Sequence, residues 1–214
     1  MERHHKPQSY YADFTSVVLG GQMKTSYYDE NELKRLGLNS YGENVLISRL
    51  CSIYGAEHVS LGSNVRIDDF SVITSGPQKT VIGDYFHLGP SASIVGDNVS
   101  IGNFVGISAK VSIFAASDDF SGNSLAICIG VPENLRGLHR GQVEIGNHII
   151  IGANSVVLPD VVISDVVSIG ANSLVNKSCA PFGIYAGTPA KRIKEKSKKC
   201  LDLELLFKGL RVEA

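Results

Sequence analysis

The chain has 214 residues and a mass of 22.9 kDa, the size of one domain with at most a short tail. Twenty Lys and Arg balance 21 Asp and Glu, so charge gives no reason to expect nucleic acid or an anionic membrane as a partner. No apolar run approaches the ~20 residues of a membrane-spanning helix, and no apolar signal core follows the N-terminus. The four cysteines lack metal-binding spacing, so we expect free thiols in a reducing cytoplasm.

The first forty residues divide into two parts. Residues 1–22 fit no repeat, so we expect them to form an extension outside it. Residues 23–40 are expected to form a helical cap, because Asp29 with Glu32 makes a capping-box pattern and Gly37 is a typical helix stop.

Residues 41–178 carry an internal repeat with a period of six. This period is neither the 3.6 of a helix nor the 2 of a long strand, and it fits a short strand followed by a corner. We expect one aliphatic side chain per six residues to point into a narrow core. The Gly that often follows it should occupy a corner with a strained backbone conformation. The aliphatic series is Ile47, Ile53, Leu61, Ile67, Ile73, Ile82, Leu88, Ile94, Ile101, Ile107, Ile113, Ile145, Ile151, Val157, Ile163, Ile169 and Val175.

The spacing lengthens in phase, at every third step of the first part of the repeat. The long steps run from 53 to 61, 73 to 82, 94 to 101 and 113 to 145. Three edges of six residues make a triangular coil whose backbone pairs with the coils above and below. The sequence therefore predicts an all-β solenoid, a parallel β-helix of five to six triangular coils with one long loop at about 114–142.

Residues 179–214 are predicted to form a C-terminal segment and helix. The basic run after Pro189 is expected to begin the helix, which continues through Leu201 to Leu210. We expect this helix and the N-terminal one to cover the open coils, whose strand edges would otherwise be unpaired.

Several segments resemble the hexapeptide-repeat acyltransferases: Val99-Ser-Ile-Gly-Asn, the run from Val143 to Val157, Val167-Ser-Ile-Gly-Ala-Asn and the ending Tyr185-Ala-Gly-Thr-Pro-Ala-Lys. The resemblance covers residues ~40–195. It implies a left-handed β-helix, a homotrimer with active sites at subunit interfaces, and acyl transfer, most often of acetyl from acetyl-CoA, to a hydroxyl or an amine. No metal is required in such a reaction.

Within the family, the chain is most similar to sugar acetyltransferases of surface-polysaccharide pathways. The segment from Ser117 to Gly122 resembles those that act on nucleotide-linked amino-deoxysugars, such as dTDP-4-amino-4,6-dideoxyglucose. The favoured activity is N-acetylation of a dTDP- or UDP-linked amino sugar in the cytoplasm, for lipopolysaccharide O-antigen or capsule. Two alternatives stay open, a sugar O-acetyltransferase and a β-helical scaffold without catalysis.

The catalytic candidates are Asp118, Asp119 and His87. O-acetyltransferases of this family place a His base just after the segment that matches Val111 to Ser117, and this chain has Asp118 there. A carboxylate suits an amine acceptor, because it can bind the ammonium form and then take its proton. His87 precedes the inward-pointing Leu88, so alternation points it outward, where it can serve as a base or as a partner of Asp118.

Five residues are predicted to bind the acceptor. Arg136, His139 and Arg140 lie in the long loop, where they can contact the sugar or its nucleotide phosphates. Tyr85 and Phe120 adjoin the catalytic candidates and are assigned to the acceptor pocket by the family resemblance. No two histidines have the spacing that a three-histidine zinc site would use, so no metal ligand is predicted.

The resemblance also implies where acyl-CoA binds, in a groove between neighbouring subunits near the last coils. Small residues permit close approach of the pantetheine arm, and basic residues after them can meet the phosphates. The predicted set is Ala153, Ala171, Gly187, Pro189, Lys191 and Arg192.

Overall fold

The computed structural model describes residues 16–19 and 22–212. Most of the predicted N-terminal extension lies outside these ranges, while β1 (Ser16–Leu19) and β2 (Gln22–Thr25) form an antiparallel hairpin. Helix α1 (Glu30–Arg35) follows. The predicted capping box is confirmed: the Asp29 carboxylate accepts the Glu32 N–H at 2.9 Å, and the Glu32 carboxylate accepts the Asp29 N–H at 2.8 Å.

The remainder is a β-solenoid with three parallel sheets, which we call faces one, two and three in the order the chain visits them. Face one contains β3 (Val45–Ile47), β6 (Val65–Ile67), β9 (Phe86–Leu88), β12 (Val105–Ile107), β17 (Ile150–Ile151), β20 (Ser168–Ile169) and β22 (Gly183–Ala186). Face two contains β4 (Ser52–Tyr54), β7 (Val72–Thr74), β10 (Ser93–Val95), β13 (Ser112–Phe114), β18 (Val156–Val157) and β21 (Leu174–Val175). Face three contains β5 (Val59–Leu61), β8 (Thr80–Ile82), β11 (Val99–Ile101), β16 (Val143–Ile145) and β19 (Val161–Ile163).

The solenoid core consists of the predicted aliphatic series. Sixteen of its seventeen members are 4% exposed or less, and Ile53 is partly buried. The in-register pairs place equivalent aliphatic residues above one another, as in Ile67 with Leu88 on face one. The six-residue period therefore does set the inward positions, because every coil repeats the same strand and corner.

The predicted reason for the corner glycines is wrong. Gly83, Gly102 and Gly152 do not have a positive φ; the corner residues with positive φ are mostly non-glycine. Glycine is needed at these positions because the next coil leaves no room for a Cβ atom. A Cβ on Gly83 would lie 2.8 Å from the Gly102 carbonyl oxygen, and one on Gly152 would lie 2.4 Å from the Ala171 nitrogen.

The long loop leaves the solenoid between faces two and three, as predicted. It contains β14 (Ala116–Ser117), a short 3-10 helix (Glu133–Leu135) and β15 (His139–Arg140), and β14 pairs antiparallel with β15. A shorter insertion at the same corner forms a second 3-10 helix (Ala56–His58).

Two predictions about the ends need correction. The solenoid has about seven coils rather than five to six, because the segments around Ser40 and Tyr185, at its two ends, pair with the coils but lie outside the six-residue series. The basic run after Pro189 forms a strand, β23 (Lys191–Glu195), which pairs antiparallel with β22 and covers the edge of face one. The C-terminal helix α2 begins only at Lys199 and spans Lys199–Val212.

No helix within the described ranges is long and apolar enough to cross a membrane.

Candidate functional site

The long loop and the two coils that follow it line an open cavity of about 530 Å³, which we call the loop cavity. Four of the predicted site residues line it: Asp118, Asp119, Phe120 and His139. The antiparallel pairing of β14 with β15 brings the two ends of the loop together and so places these side chains around one space. Ser117, Gly137, Leu138, Leu158, Pro159 and Asn176 complete the lining.

The two adjacent carboxylates of the loop cavity have different roles in the loop. Hydrogen bonds from the side chain and then the backbone of Ser121 lower the pKa of Asp119. The backbone contact, from the Ser121 N–H to Asp119 Oδ1 at 2.8 Å, also holds the turn that follows. Asp118 accepts the Ile127 N–H at 3.1 Å through Oδ1. A carboxylate has about four lone-pair sites, so this contact leaves Asp118 able to accept from a ligand ammonium.

His139 pairs with Asp160 at 2.6 Å between Nε2 and Oδ2, at the side of the loop cavity. The hydrogen bond from His139 lowers the pKa of Asp160. Asp160 was not predicted, and no sequence signal could have found it, because it lies 21 residues from His139 and meets it only when the loop folds back. The pair has the arrangement of a base and its orienting carboxylate.

Neither of the two predicted loop arginines, Arg136 and Arg140, lines the loop cavity. Arg140 lies in β15, where its backbone pairs with Ala116. Arg136 Nε is buried and is the only such side-chain nitrogen or oxygen without a hydrogen-bond partner within the part of the chain that the structure describes. A buried unpaired donor of this kind is costly, so a contact from outside the chain would stabilise it.

His87 and Tyr85 lie at a second cavity, of about 460 Å³, which we call the N-terminal cavity. His87 Nε2 lies 2.8 Å from Asp68 Oδ2, and Arg66 Nε donates to Asp68 Oδ1 at 2.6 Å. The Tyr27 hydroxyl donates to the same oxygen at 3.1 Å. Burial opposes ionisation of Asp68, but the hydrogen bonds from His87 and Arg66 outweigh it and lower the pKa of Asp68. Burial, followed by the Asp68 charge, raises the pKa of Tyr27 to about 12.

The sequence analysis named His87 as a candidate but did not predict that Asp68 pairs with it or that Arg66 lies beside it. Arg66 and His87 are the middle residues of β6 and β9 and are direct neighbours in register. Stacking the repeat by coils would have placed them side by side, whereas the contacts to Asp68 depend on side-chain conformations that the repeat does not specify.

Tyr85 also belongs to an aromatic column along the corner that precedes face one. Its ring stacks on Phe104 at 4.6 Å between centroids, and Phe104 stacks on His148 at 5.1 Å. Helix α2 covers this column through Phe207, which meets Tyr85 edge-on, and through Glu204, which pairs with His148 at 2.6 Å.

The predicted acyl-CoA residues lie mainly at the corner that follows face one. Ala153 and Ala171 occupy equivalent turns of consecutive coils, where Gly152 packs against the backbone of Ala171. Gly187, with φ of 103°, donates its N–H to Ser173 Oγ at 3.1 Å. This corner therefore presents a row of small residues with backbone close to the surface.

The remaining three members of the predicted acyl-CoA set follow that row. Pro189 is exposed after the last coil, and Lys191 is exposed on β23. The Arg192 guanidinium is engaged within the chain, because it donates to Glu195 at 2.7 Å and to the Phe182 carbonyl at 3.2 Å. A phosphate role for Arg192 stays a prediction.

A scan against protein-family models finds no match. Comparison with individual proteins does find relatives of high sequence identity. The chain is 45% identical over 184 residues to a dTDP-4-amino-4,6-dideoxy-D-glucose acyltransferase of Escherichia coli, which covers 86% of this chain and 95% of the relative. It is 33% identical over 152 residues to WbbJ of Escherichia coli K12, assigned as an O-acetyl transferase of lipopolysaccharide biosynthesis, covering 67% of this chain and 72% of the relative. The chain belongs to the hexapeptide-repeat acyltransferases.

Solved structures agree with this family membership. The chain superimposes on AntD, an N-acyltransferase from Bacillus cereus in complex with dTDP and 3-hydroxybutyryl-CoA, with a TM-score of 0.81, 38% identity, and coverage of 88% of this chain and 99% of AntD. An AntD variant in complex with dTDP-4-amino-4,6-dideoxyglucose and coenzyme A gives a TM-score of 0.79 at 37% identity, covering 86% of this chain and 98% of that one. This hexapeptide-repeat acyltransferase thus shares both fold and sequence with an enzyme that uses acyl-CoA.

Proposed function

We propose that the chain transfers an acyl group from acyl-CoA to the 4-amino group of dTDP-4-amino-4,6-dideoxyglucose. The observation that carries the proposal is the 45% identity, over 86% of the chain, to an Escherichia coli acyltransferase named for this sugar. The structural similarity to AntD, in complex with the same sugar nucleotide, supports it independently. Asp118 in the loop cavity, where a His base would serve a hydroxyl acceptor, favours an amine.

The chemistry needs a neutral amine next to the thioester carbonyl. Asp118 would bind the sugar ammonium and accept its proton, so that the amine lone pair attacks the carbonyl carbon. The C–N bond forms, the C–S bond breaks, and CoA leaves as a thiolate that takes up the second proton, which the nitrogen loses as it becomes an amide. The backbone of the corner that carries Ala153 and Ala171 would hold the pantetheine arm, and Lys191 would meet the phosphates.

Spacing in AntD supports this role for Asp118. The AntD structures include variants at one serine and at one aspartate ten residues further along that chain. Ser108 and Asp118 have the same separation, and Ser108 lies at the end of β12, on the same corner as Ala153. Ser155 and Asp165 are also ten apart, but Ser155 is fully buried and donates to the Gly170 carbonyl, so we assign the pair to Ser108 and Asp118.

A hydroxyl acceptor is the second candidate, because of the similarity to WbbJ and because His139 and Asp160 form a base-like pair beside the loop cavity. In that reaction His139 would take the hydroxyl proton while Asp160 stabilises the imidazolium.

We further propose that the enzyme is a homotrimer in the cytoplasm that uses acetyl-CoA and no metal. Exposed large side chains, Ile150 on face one, Tyr54 on face two and Phe70 at the corner between these faces, support burial against other copies. All four cysteines are free, as expected for a reducing compartment. Sedimentation should give a mass near 69 kDa, three times 22.9 kDa; a monomer at working concentration would overturn the trimer.

The test is CoA release from acetyl-CoA and from 3-hydroxybutyryl-CoA with two matched acceptors. One is dTDP-4-amino-4,6-dideoxyglucose, and the other is the same dTDP sugar with a hydroxyl in place of the amine. We expect turnover with the amine alone. Turnover confined to the hydroxyl sugar would move the assignment to O-acylation, and a preference for the longer acyl group would replace acetyl. No CoA release with either sugar would refute the proposed acceptor.

A further inference from the structure

The Asp119 carboxylate is surrounded by hydrogen-bond donors from its own loop. It accepts the Ser121 N–H at 2.8 Å. It also accepts hydrogen bonds from the Asn123 N–H and from the hydroxyls of Ser121 and Ser124. A carboxylate has about four lone-pair sites, so these donors leave Asp119 little capacity for a substrate amine. Although Asp119 lines the loop cavity, its hydrogen-bonding capacity is used by the turn that follows it.

The orientation of Asp118 depends on a donor further along the loop. Asp118 Oδ1 accepts the Ile127 N–H at 3.1 Å, across nine residues of chain. This contact restricts rotation of the Asp118 carboxylate. Because the donor is a backbone group, its position is set by the path of the chain between the two residues.

That path is fixed at two points before it reaches Ile127. The first is the turn that Asp119 holds. The second is a contact with the returning part of the loop, where the Leu125 N–H donates to the Leu135 carbonyl at 2.8 Å and Leu125 forms a bridge with Arg136. Together these contacts determine where the Ile127 N–H lies.

Gly137 brings the turn and the returning part of the loop into direct contact. A Cβ at Gly137 would lie 2.5 Å from Asp119 Cβ and 2.5 Å from Ser124 Oγ. Only glycine permits so close an approach. Gly137 directly follows Arg136, so the two parts of the loop meet at consecutive residues, first beside Leu125 and then beside the turn.

We propose that Asp119 is a positioning residue for acyl transfer, which holds the turn against Gly137 and so places the Ile127 N–H that orients Asp118. Asp118 alone then takes the proton of the amine. The proposal rests on the proposed function, since it takes Asp118 as the group that meets the amine. Misplacing a reacting group by about 1 Å can cost about a hundredfold in rate, so the loss of this turn should be measurable.

The first test compares two replacements of Asp119 in steady-state turnover of the amino sugar. Asp119→Ala removes the acceptor of the turn and should lower kcat about ten- to hundredfold. Asp119→Asn keeps an amide oxygen for the Ser121 N–H, and its amide NH₂ can donate to the serine hydroxyls. It should therefore restore kcat to within about fivefold of the parent, with a pH profile of unchanged shape. A catalytic Asp119 would lose its activity in both variants.

The second test is hydrogen exchange at the Ile127 amide, which does not depend on the acceptor. Asp119→Ala and Gly137→Ala should each speed this exchange about tenfold, because both displace the turn and free the Ile127 N–H from Asp118. Asp119→Asn should leave the exchange as in the parent. Gly137→Ala should also lower kcat, although it removes no carboxylate.

Two matched variants control for the loss of a carboxylate and for an added methyl group. Asp165→Ala removes a carboxylate that accepts the Asn147 N–H at 2.6 Å outside the loop. Gly106→Ala adds a Cβ that meets nothing within 4 Å. Both should keep the kcat and the Ile127 exchange of the parent. Thermal melting and calorimetric titration with CoA check that each variant is folded.

The outcomes separate this proposal from the proposed function. Equal loss of kcat in Asp119→Asn and Asp119→Ala would overturn the positioning role, while turnover by the parent would leave the proposed function intact. Unchanged Ile127 exchange in Asp119→Ala would overturn the positioning role whichever acceptor the enzyme uses. An absence of turnover by the parent would refute the proposed function, and faster Ile127 exchange in Asp119→Ala would still support the role of Asp119 in orienting Asp118.

Discussion

Replacing Gly83 by alanine tests whether the corner glycines are required by contact between coils. A Cβ at this position would lie 2.5 Å from Asn103 Oδ1 and 2.8 Å from the Gly102 carbonyl oxygen. Asn103 Oδ1 accepts the Asp84 N–H at 2.7 Å, so the added methyl group would disturb that hydrogen bond as well as the backbone of the next coil. The matched control is Gly106→Ala, since a Cβ at Gly106 meets nothing within 4 Å.

The expected loss combines two effects. Overpacking against backbone costs about 1–3 kcal/mol, and the disturbed hydrogen bond adds about 1 kcal/mol. Gly83→Ala should therefore lower the free energy of unfolding by about 2–4 kcal/mol. For a chain of this size that corresponds to a Tm about 4–15 °C lower. Gly106→Ala should change it by less than about 1 kcal/mol, in the stabilising direction, because alanine restricts the unfolded chain.

The assay is calorimetric melting of both variants beside the parent at one protein concentration, with urea unfolding as a second measure. Equal Tm values for Gly83→Ala and Gly106→Ala would refute the reasoning. A strong loss in Gly106→Ala would refute it too, since it would mean that the outward glycine is needed for its conformation.

Three further predictions concern the site, the buried carboxylate and the C-terminal helix. Asp118→Asn should lower kcat for the amine acceptor about 10²- to 10⁴-fold without changing acyl-CoA affinity, as steady-state kinetics and calorimetry would show; a kcat within threefold of the parent would contradict it. Because the folded-state pKa of Asp68 is lowered, its stabilisation is present above the unfolded-state value of about 3.9 and is lost as pH falls through the folded value. The stability difference between the parent and Asp68→Asn should thus be largest near pH 7 and shrink below about pH 4, and a difference constant with pH would argue against an ionised Asp68. Phe207→Ala should speed amide exchange in α2 about tenfold by removing its contacts with the aromatic column, whereas Leu205→Ala, at a position 70% exposed, should not.

The repeat predicted the interior of the solenoid well, and it failed at both ends. Equivalent inward positions follow from a spacing that every coil shares, so Ile67, Leu88 and Ile107 were found from the sequence alone. The last coil uses Tyr185 opposite Ile169, and a bridge from Ser40 to Ser60 marks the first coil. Neither Ser40 nor Tyr185 belongs to the six-residue series, which is why the sequence predicts too few coils.

The basic run after Pro189 shows how context overrides a local pattern. Lysines and an arginine with one isoleucine suit an exposed helix, and helix was the prediction. In the structure this segment lies against the unpaired edge of β22, and the backbone hydrogen bonds offered there favour a strand.

The candidate site, like the fold, was predicted only in part from the sequence. The resemblance of the loop predicted Asp118 and Asp119, and alternation along β9 predicted that His87 points outward between Phe86 and Leu88. The residues that meet these groups were not predicted: Asp160 beside His139, and Arg66 and Asp68 beside His87. In each case they lie on a different coil from the group that they meet.

The sequence by itself determined the solenoid, its inward residues and the corner from which the long loop leaves, because a short repeat imposes the same local geometry on every coil. Only the tertiary structure decided which charged side chains meet. Asp160 reaches His139, and Asp68 reaches His87, across 21 and 19 residues of chain. Such contacts depend on how the loop folds back and on the registration of whole coils, and neither is written in the local pattern of either residue.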